Sequence, residues 1–135
     1  MSTLPKNTTI LVVDDDLDAR ELLRFVLEES GAEVVVADSA DAALRICRQH
    51  PPHAVISDIR LGRTDGYALI RAIRNSNKEY RGFTPVVAVT GFASPDDQEK
   101  AIAAGFNAYF SKPFDPEQIL RVITRLLGSP SDLAA

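Results

Sequence analysis

Acidic, hydroxyl and ammonium side chains stand in this chain directly after short apolar runs. Asp14-Asp15-Asp16 follows Ile10-Leu-Val-Val13, Asp58 follows Ala54-Val-Ile-Ser57, Thr90-Gly91 follows Pro85-Val-Val-Ala-Val89, and Ser111-Lys112-Pro113 follows Asn107-Ala-Tyr-Phe110. Carboxylates about 4 Å apart repel by roughly 4 kcal/mol per pair at an effective dielectric of about 20. A fold that gathers them therefore calls for a cation. An all-oxygen ligand set suits a hard divalent ion, Mg2+ or Mn2+. Beside such an ion the carboxylate of Asp58 can attack a phosphoryl group, the Thr90 hydroxyl can donate to one phosphoryl oxygen and the Lys112 ammonium can pair with another. A calcium-loop reading of Asp14, Asp16 and Asp18 fails, because Ala19 stands where that loop needs glycine and no glutamate closes it.

Those residues need elements that bring them to one place. The runs Ile10–Val13, Glu33–Val36, Ala54–Ser57, Pro85–Val89 and Asn107–Phe110 are rich in β-branched residues and several are continuously apolar, as strands buried on both faces of a parallel sheet are. Amphipathic segments separate them. The first carries Leu22, Leu23, Val26 and Leu27, and the second places Ala40, Ala43, Leu44 and Cys47 at helical spacing behind a Ser39 cap. The third carries Leu69, Ile70 and Ile73, and the fourth follows Ser94-Pro95 and carries Ala101, Ile102 and Ala104. The fifth follows Asp115-Pro116, a cap and a first-turn proline, and repeats Ile119, Leu120, Ile123, Leu126 and Leu127. Gly31 and Gly105 fall where a left-handed residue ends the first and fourth helices, and Pro51-Pro52 stops the second. The result is an α/β (βα)5 order, a parallel sheet with right-handed crossovers and helices on both faces. Ligands bind such sheets beyond the carboxyl ends of the strands, which is where the acids, Thr90 and Lys112 lie. Asp16 and Asp115, taken singly, are well explained as helix caps, and for Asp16 the cap is the favoured reading.

The 135 residues match one domain and leave no room for a separate output module. A net charge of −4 argues against a nucleic-acid platform. The single cysteine, Cys47, excludes an internal disulfide framework and suits a reducing compartment. No run approaches the roughly 18 apolar residues of a membrane span, and the start of the chain has no apolar signal segment, so a soluble cytoplasmic protein is expected. Residues 1–8 read as a leader, 9–127 as the domain and 128–135 as a flexible tail.

Five sequence pieces together resemble a two-component response-regulator receiver domain, from about Thr9 to Leu127. They are Val12-Val13-Asp14-Asp15-Asp16, Ile56-Ser57-Asp58, Asp65-Gly66, Val89-Thr90-Gly91 and Ser111-Lys112-Pro113-Phe114. The resemblance implies a flavodoxin-like, doubly wound sheet of strand order 2-1-3-4-5, for which a receiver is a standing example. It implies Asp58 as phosphoacceptor, with Asp14, Asp15, Asp58 and the backbone carbonyl of Arg60 holding Mg2+, Thr90 and Lys112 binding the phosphoryl group, Thr90 and Tyr109 as the switch pair, and a cis Lys112-Pro113 peptide. Two departures stand out. Gly62 replaces the proline common after the acceptor, and Phe92, near Thr90, is bulky enough to shield an acyl phosphate from water. Arg60 and Phe92 lie where the family tunes autodephosphorylation.

The expected function is accordingly a phosphorylation-controlled switch. A sensor histidine kinase or phosphotransfer protein donates the phosphoryl group, and the fourth helix, fifth strand and fifth helix form the face that a downstream protein reads, with room for a phosphorylation-dependent homodimer. Nucleic acid and membrane are not expected partners, and the only catalysis expected is self-phosphorylation and dephosphorylation. The Met1 leader favours a separate chain, whereas the stretch from Ala103 through Pro116 resembles receivers attached to hybrid kinases. Two rival classes remain: a haloacid-dehalogenase-like aspartyl-phosphate phosphatase or phosphotransferase, and a phosphorylation-independent adaptor. For Tyr109 a plain strand aromatic is the alternative to a switch. For Cys47 core packing is favoured over redox chemistry, and for His50 and His53 solvated loop positions are favoured over a metal pair. Lys100, Arg121 and Arg125 form either a partner surface or a solvated face.

Overall fold

Alternation between two buried faces explains why the strand sequences are apolar at nearly every position. The computed structural model describes residues 4–61, 64–80, 82–91 and 94–128. In chain order its elements are β1 (Thr9–Val13), α1 (Leu17–Glu29), β2 (Glu33–Ala37), α2 (Ala40–Gln49), β3 (Ala54–Asp58), the short β4 (Arg60–Leu61) and β5 (Thr64–Asp65), α3 (Gly66–Tyr80), β6 (Val86–Thr90), α4 (Pro95–Ala104), β7 (Ala108–Ser111) and α5 (Pro116–Leu126). The five long strands form one parallel sheet in the order β2-β1-β3-β6-β7. Counted without the short pair, this is the expected 2-1-3-4-5. Ile10 and Val12 of β1, Ala54 and Ile56 of β3, and Val87 and Val89 of β6 face Leu23 and Leu27 of α1 and Ile119, Leu120 and Ile123 of α5. Their neighbours Leu11, Val13, Val55, Val86 and Ala88 face Ala40, Ala43, Leu69, Ile70, Ile73 and Ala101 on the other side. With side chains alternating at period two, only a sheet covered on both faces buries them all.

The helix starts follow the sequence signals. Asp16, Ser39, Ser94 and Asp115 cap α1, α2, α4 and α5, each accepting a backbone N–H of the first turn, and Pro95 and Pro116 open their helices. Gly31 and Gly105 have φ of 97° and 119°, the left-handed conformation expected after a helix. Two boundaries shift for a physical reason. Pro85 has no N–H for the ladder, and Asn107 stays outside β7 because its side-chain oxygen accepts the Val86 N–H at 2.9 Å. β2, β3, β6 and β7 also run one residue further than their apolar runs, which makes Asp58 and Thr90 the last residues of β3 and β6. The antiparallel β4–β5 pair had no sequence signal. Residues ahead of β1, set apart as a leader, pack on the domain: Leu4 lies in the core and donates its N–H to Ser30 O, and the buried Thr8 hydroxyl donates to Pro5 O. Gly62, Phe92 and the tail from 129 onward, on which three expectations rest, lie outside the described residues.

One arginine ties the lower end of α4 to the rest of the domain. Arg74 of α3 donates to the carbonyl oxygens of Gly105 (2.8 and 3.0 Å) and Thr84 (2.7 Å) and to the side-chain oxygens of Asn77 and Asn107. Its guanidinium also lies 5.2 Å from the centre of the Phe83 ring. Truncation would leave several part-buried acceptors without a donor, at about 1–3 kcal/mol for each group left unsatisfied. Arg74→Ala is expected to lower unfolding free energy by about 2–4 kcal/mol in urea titrations, with Arg74→Lys recovering only part because an ammonium cannot reproduce the planar fork.

Candidate functional site

Strand register delivers the acids, the hydroxyl and the ammonium to one rim. Val13 is paired with Ala37 and Ser57, Asp58 with Val89, and Thr90 with Ser111, so the residues that follow or end these strands stand side by side. Asp14, Asp15 and Asp58 each offer a carboxylate oxygen within 4.8 Å of the other two. Asp14 is fully buried, Asp58 and Thr90 nearly so, and Asp15 is exposed. Lys112 reaches across the rim, its Nζ 2.9 Å from Asp14 Oδ2 and 2.9 Å from Asp58 Oδ2. The Lys112-Pro113 peptide is cis, and the Lys112 N–H donates to Thr90 O at 2.7 Å.

Backbone donors orient the carboxylates. The Asp16 N–H donates to Asp14 Oδ1 at 2.9 Å, and the Arg60 N–H donates to Asp58 Oδ1 at 3.0 Å. Asp14 N–H donates to Ala37 O, and the Ser57 hydroxyl donates to Asp58 O. Gly66 opens α3 against the end of β3: its N–H donates to Ile59 O, and a Cβ at this position would stand 2.6 Å from Asp58 O and 3.0 Å from Ile59 Cα. Gly66 of the Asp65-Gly66 piece is thereby explained, since a residue without a side chain fits that approach.

Burial raises the carboxyl pKa of Asp14 above its ordinary value, and the nearby Asp58 charge adds to this, although the Asp16 N–H and Lys112 oppose it. Burial also works against the charge of Lys112, but hydrogen bonds and attraction from Asp14 and Asp58 outweigh it and hold the ammonium above its ordinary range. One ammonium cannot balance three carboxylates. Asp14 Oδ2 is buried and accepts no hydrogen bond, although Lys112 Nζ lies within ion-pair distance. A buried anionic oxygen with unused acceptor capacity, beside two more carboxylates, fits a hard divalent cation such as Mg2+.

Thr90 and Tyr109 line a second space. A cavity of about 220 Å³ lies beside the rim, bounded by Ile59, Arg60, Tyr67, Thr90, Asp97, Lys100 and Tyr109. Tyr109 is half-buried on β7, and burial, with the charges of Asp97 and Tyr67, raises its hydroxyl pKa. Lys100 Nζ sits 5.1 Å from the centre of the Tyr67 ring, which meets Phe106 edge-on. Tyr67 and Asp97 were not singled out from the sequence, because only the packing of α3 beside α4 places them at this cavity.

A family model described as the response regulator receiver domain matches residues 10–124. The chain belongs to the receiver-domain family. It is 42% identical over 125 residues to an uncharacterized 14.6 kDa protein in the sodA1 3′ region of Leptolyngbya boryana, covering 91% of this chain and 93% of that protein. It is 32% identical over 120 residues to the polar-differentiation response regulator DivK of Brucella ovis, covering 89% of this chain and 96% of that protein. The structure superposes on the chemotaxis protein CheY4 of Vibrio cholerae with a TM-score of 0.80 at 29% identity, over 90% of this chain and 99% of that one. Asp16 stands outside the acidic cluster as a helix cap, its carboxylate accepting the Asp18 N–H. Cys47 is half-buried against the core, with its thiol pKa raised by burial. His53 Nδ1 accepts the Thr9 N–H at 3.0 Å and so holds the amino-terminal end of β1, while His50 and His53 are both exposed. Arg121 and Arg125 are exposed on α5.

Two outcomes follow from this geometry. Because the folded state holds the Asp14 pKa above its unfolded value, the native protein binds more protons in that interval and stability falls as pH rises through it. In metal-free protein the penalty develops as pH rises from the unfolded-state pKa through the raised folded-state one. In EDTA, Asp14→Asn is expected to raise the thermal midpoint by a few degrees at neutral pH, with the gain vanishing in acid, as scanning calorimetry across pH would show. Gly66→Ala is expected to cost about 1–3 kcal/mol in urea unfolding, because the methyl group must push the end of β3 away.

Proposed function

We propose that this receiver accepts a phosphoryl group on Asp58 with Mg2+ and thereby switches a protein-binding face. Receiver domains work with histidine kinases or phosphotransfer proteins, and one of these is the proposed donor. The observation that carries the reading is the gathering of Asp14, Asp15 and Asp58 within 4.8 Å under the reach of Lys112. Bound at Asp14, Asp15, Asp58 and the carbonyl of Arg60, Mg2+ supplies charge neutralisation for the incoming phosphoryl oxygens.

The protein groups do the rest. A carboxylate oxygen of Asp58 forms the new bond to phosphorus as the donor's bond to phosphorus breaks, and the departing imidazole nitrogen or acyl oxygen keeps that electron pair. Lys112, already paired with Asp58, meets one equatorial oxygen, and the Thr90 hydroxyl donates to another. These charges are in place before reaction, so little reorganisation is needed. The phosphorylated state draws Thr90 toward the new group, Tyr109 follows, and the face formed by α4, β7 and α5 changes its preferred arrangement. Catalysis is confined to the protein's own phosphorylation and dephosphorylation. A cytoplasmic location belongs to the same reading; Cys47 is the single cysteine, and among the described residues no helix is long and apolar enough to cross a membrane.

Intact-mass spectrometry after incubation with acetyl phosphate or phosphoramidate tests this. One phosphoryl adduct is expected with Mg2+, with none in EDTA and none in Asp58→Asn. An adduct retained in Asp58→Asn, or multiple-turnover phosphatase activity surviving that change but lost in Asp14→Asn, would favour an aspartyl-phosphate enzyme. No adduct under any condition would favour an adaptor.

A further inference from the structure

The neighbouring arginines of α1 are used in opposite ways. Arg24 pairs with Glu28 one turn on, Nε to Oε1 at 2.7 Å, in an exposed ion pair common on helices. Arg20 makes no ion pair among the described residues; its half-buried side chain donates from Nη1 to the main-chain oxygen of Asp14 at 2.9 Å. Helical side chains lean toward the helix N-terminus, which carries the guanidinium back over the first turn to the β1–α1 connection. A cation so near the start of a helix opposes the helix dipole, so this placement needs a compensating gain at the rim.

That gain lies in how Asp14 and Asp15 are held. Asp14 N–H donates to Ala37 O, Asp14 Oδ1 accepts from Asp16, and Asp14 O accepts from Arg20, so both ends of its main chain and its side chain are fixed. Asp15 is different. Among the described residues its exposed carboxylate makes no hydrogen bond or ion pair, so its direction depends on the backbone that carries it. The peptide joining Asp14 to Asp15 is the one whose oxygen Arg20 holds. Lys112, by contrast, occupies carboxylate oxygens. Arg20 fixes the connection while leaving every carboxylate oxygen of the cluster available to a cation.

We propose that Arg20 is a positioning residue for the divalent-cation site, holding the Asp14–Asp15 peptide so that the Asp15 carboxylate faces Asp14 and Asp58. The inference rests on the Mg2+-dependent phosphoacceptor reading above, and it fixes a sign. A residue acting only through its charge would repel Mg2+, so its removal would tighten binding. A residue acting through position loosens binding when removed.

Calorimetric titration of full-length protein with MgCl2 at constant ionic strength separates these. Arg20→Ala is expected to weaken Mg2+ binding roughly tenfold or more, the range for losing a partner that orients a metal ligand. Arg20→Lys should fall between it and the wild type, and Arg24→Ala should match the wild type. In acetyl phosphate reactions, Arg20→Ala should need more Mg2+ for half-maximal rate yet regain most of the wild-type rate at saturating Mg2+, which a purely structural loss would not do. Unchanged or tighter Mg2+ binding in folded Arg20→Ala overturns the proposal while leaving the phosphoacceptor reading intact. A wild type that binds no Mg2+ overturns both. Should Arg20→Ala not fold by circular dichroism, Arg20→Gln, which keeps a polar stem too short to reach Asp14 O, is judged by the same criterion.

Discussion

Electrostatic repulsion at one rim of the sheet organises this molecule. Three carboxylates lie within 4.8 Å of one another, one of them fully buried, and a single lysine reaches two of them. In isolation that arrangement is unfavourable, since like charges at such distances cost several kcal/mol at intermediate dielectric. It persists because the positions are imposed from elsewhere. Asp14 follows a β1 residue hydrogen-bonded into the middle of the sheet, and Asp58 ends a fully buried strand. The backbone cannot separate the acids without breaking register, and a register slip of one residue would turn every strand side chain to the wrong face.

The core is what makes that imposition rigid. Alternate residues of β1, β3 and β6 are buried against α1 and α5 on one face and against α2, α3 and α4 on the other. Gly66 lets α3 start against the Asp58 carbonyl, and the helix caps satisfy the backbone groups that the turns would otherwise leave exposed. Most of the sequence thus serves to hold five side chains at the rim.

Packing is not uniform around α4. Its C-terminal end is pinned, with Gly105 O receiving two bonds from Arg74 and Asn107 tied both to Arg74 and to Val86. Nearer its start, Asp97 and Lys100 border a cavity of about 220 Å³ that also touches Thr90 and Tyr109. An element fixed at one end and loosely packed at the other can change angle in response to a small displacement at Thr90, consistent with the switch proposed for this face.

Much of this was legible from local pattern. Continuous β-branched runs announced a sheet buried on both faces, and Ser39, Ser94-Pro95, Asp115-Pro116, Gly31 and Gly105 marked helix ends, because capping and left-handed φ are properties of single residues and their immediate neighbours. The rim residues Asp14, Asp58, Thr90 and Lys112 were readable for the same reason, each standing at the end of an apolar run. Strand order came from family resemblance, since hydrophobic pattern alone does not rank parallel strands. Only the tertiary structure decided that Lys112 pairs with both Asp14 and Asp58, that Gly66 must lack a side chain, and that Tyr67 and Asp97 meet beside Thr90. These depend on distances between residues far apart in the chain, which the packing of helices on the sheet sets and no local spacing encodes.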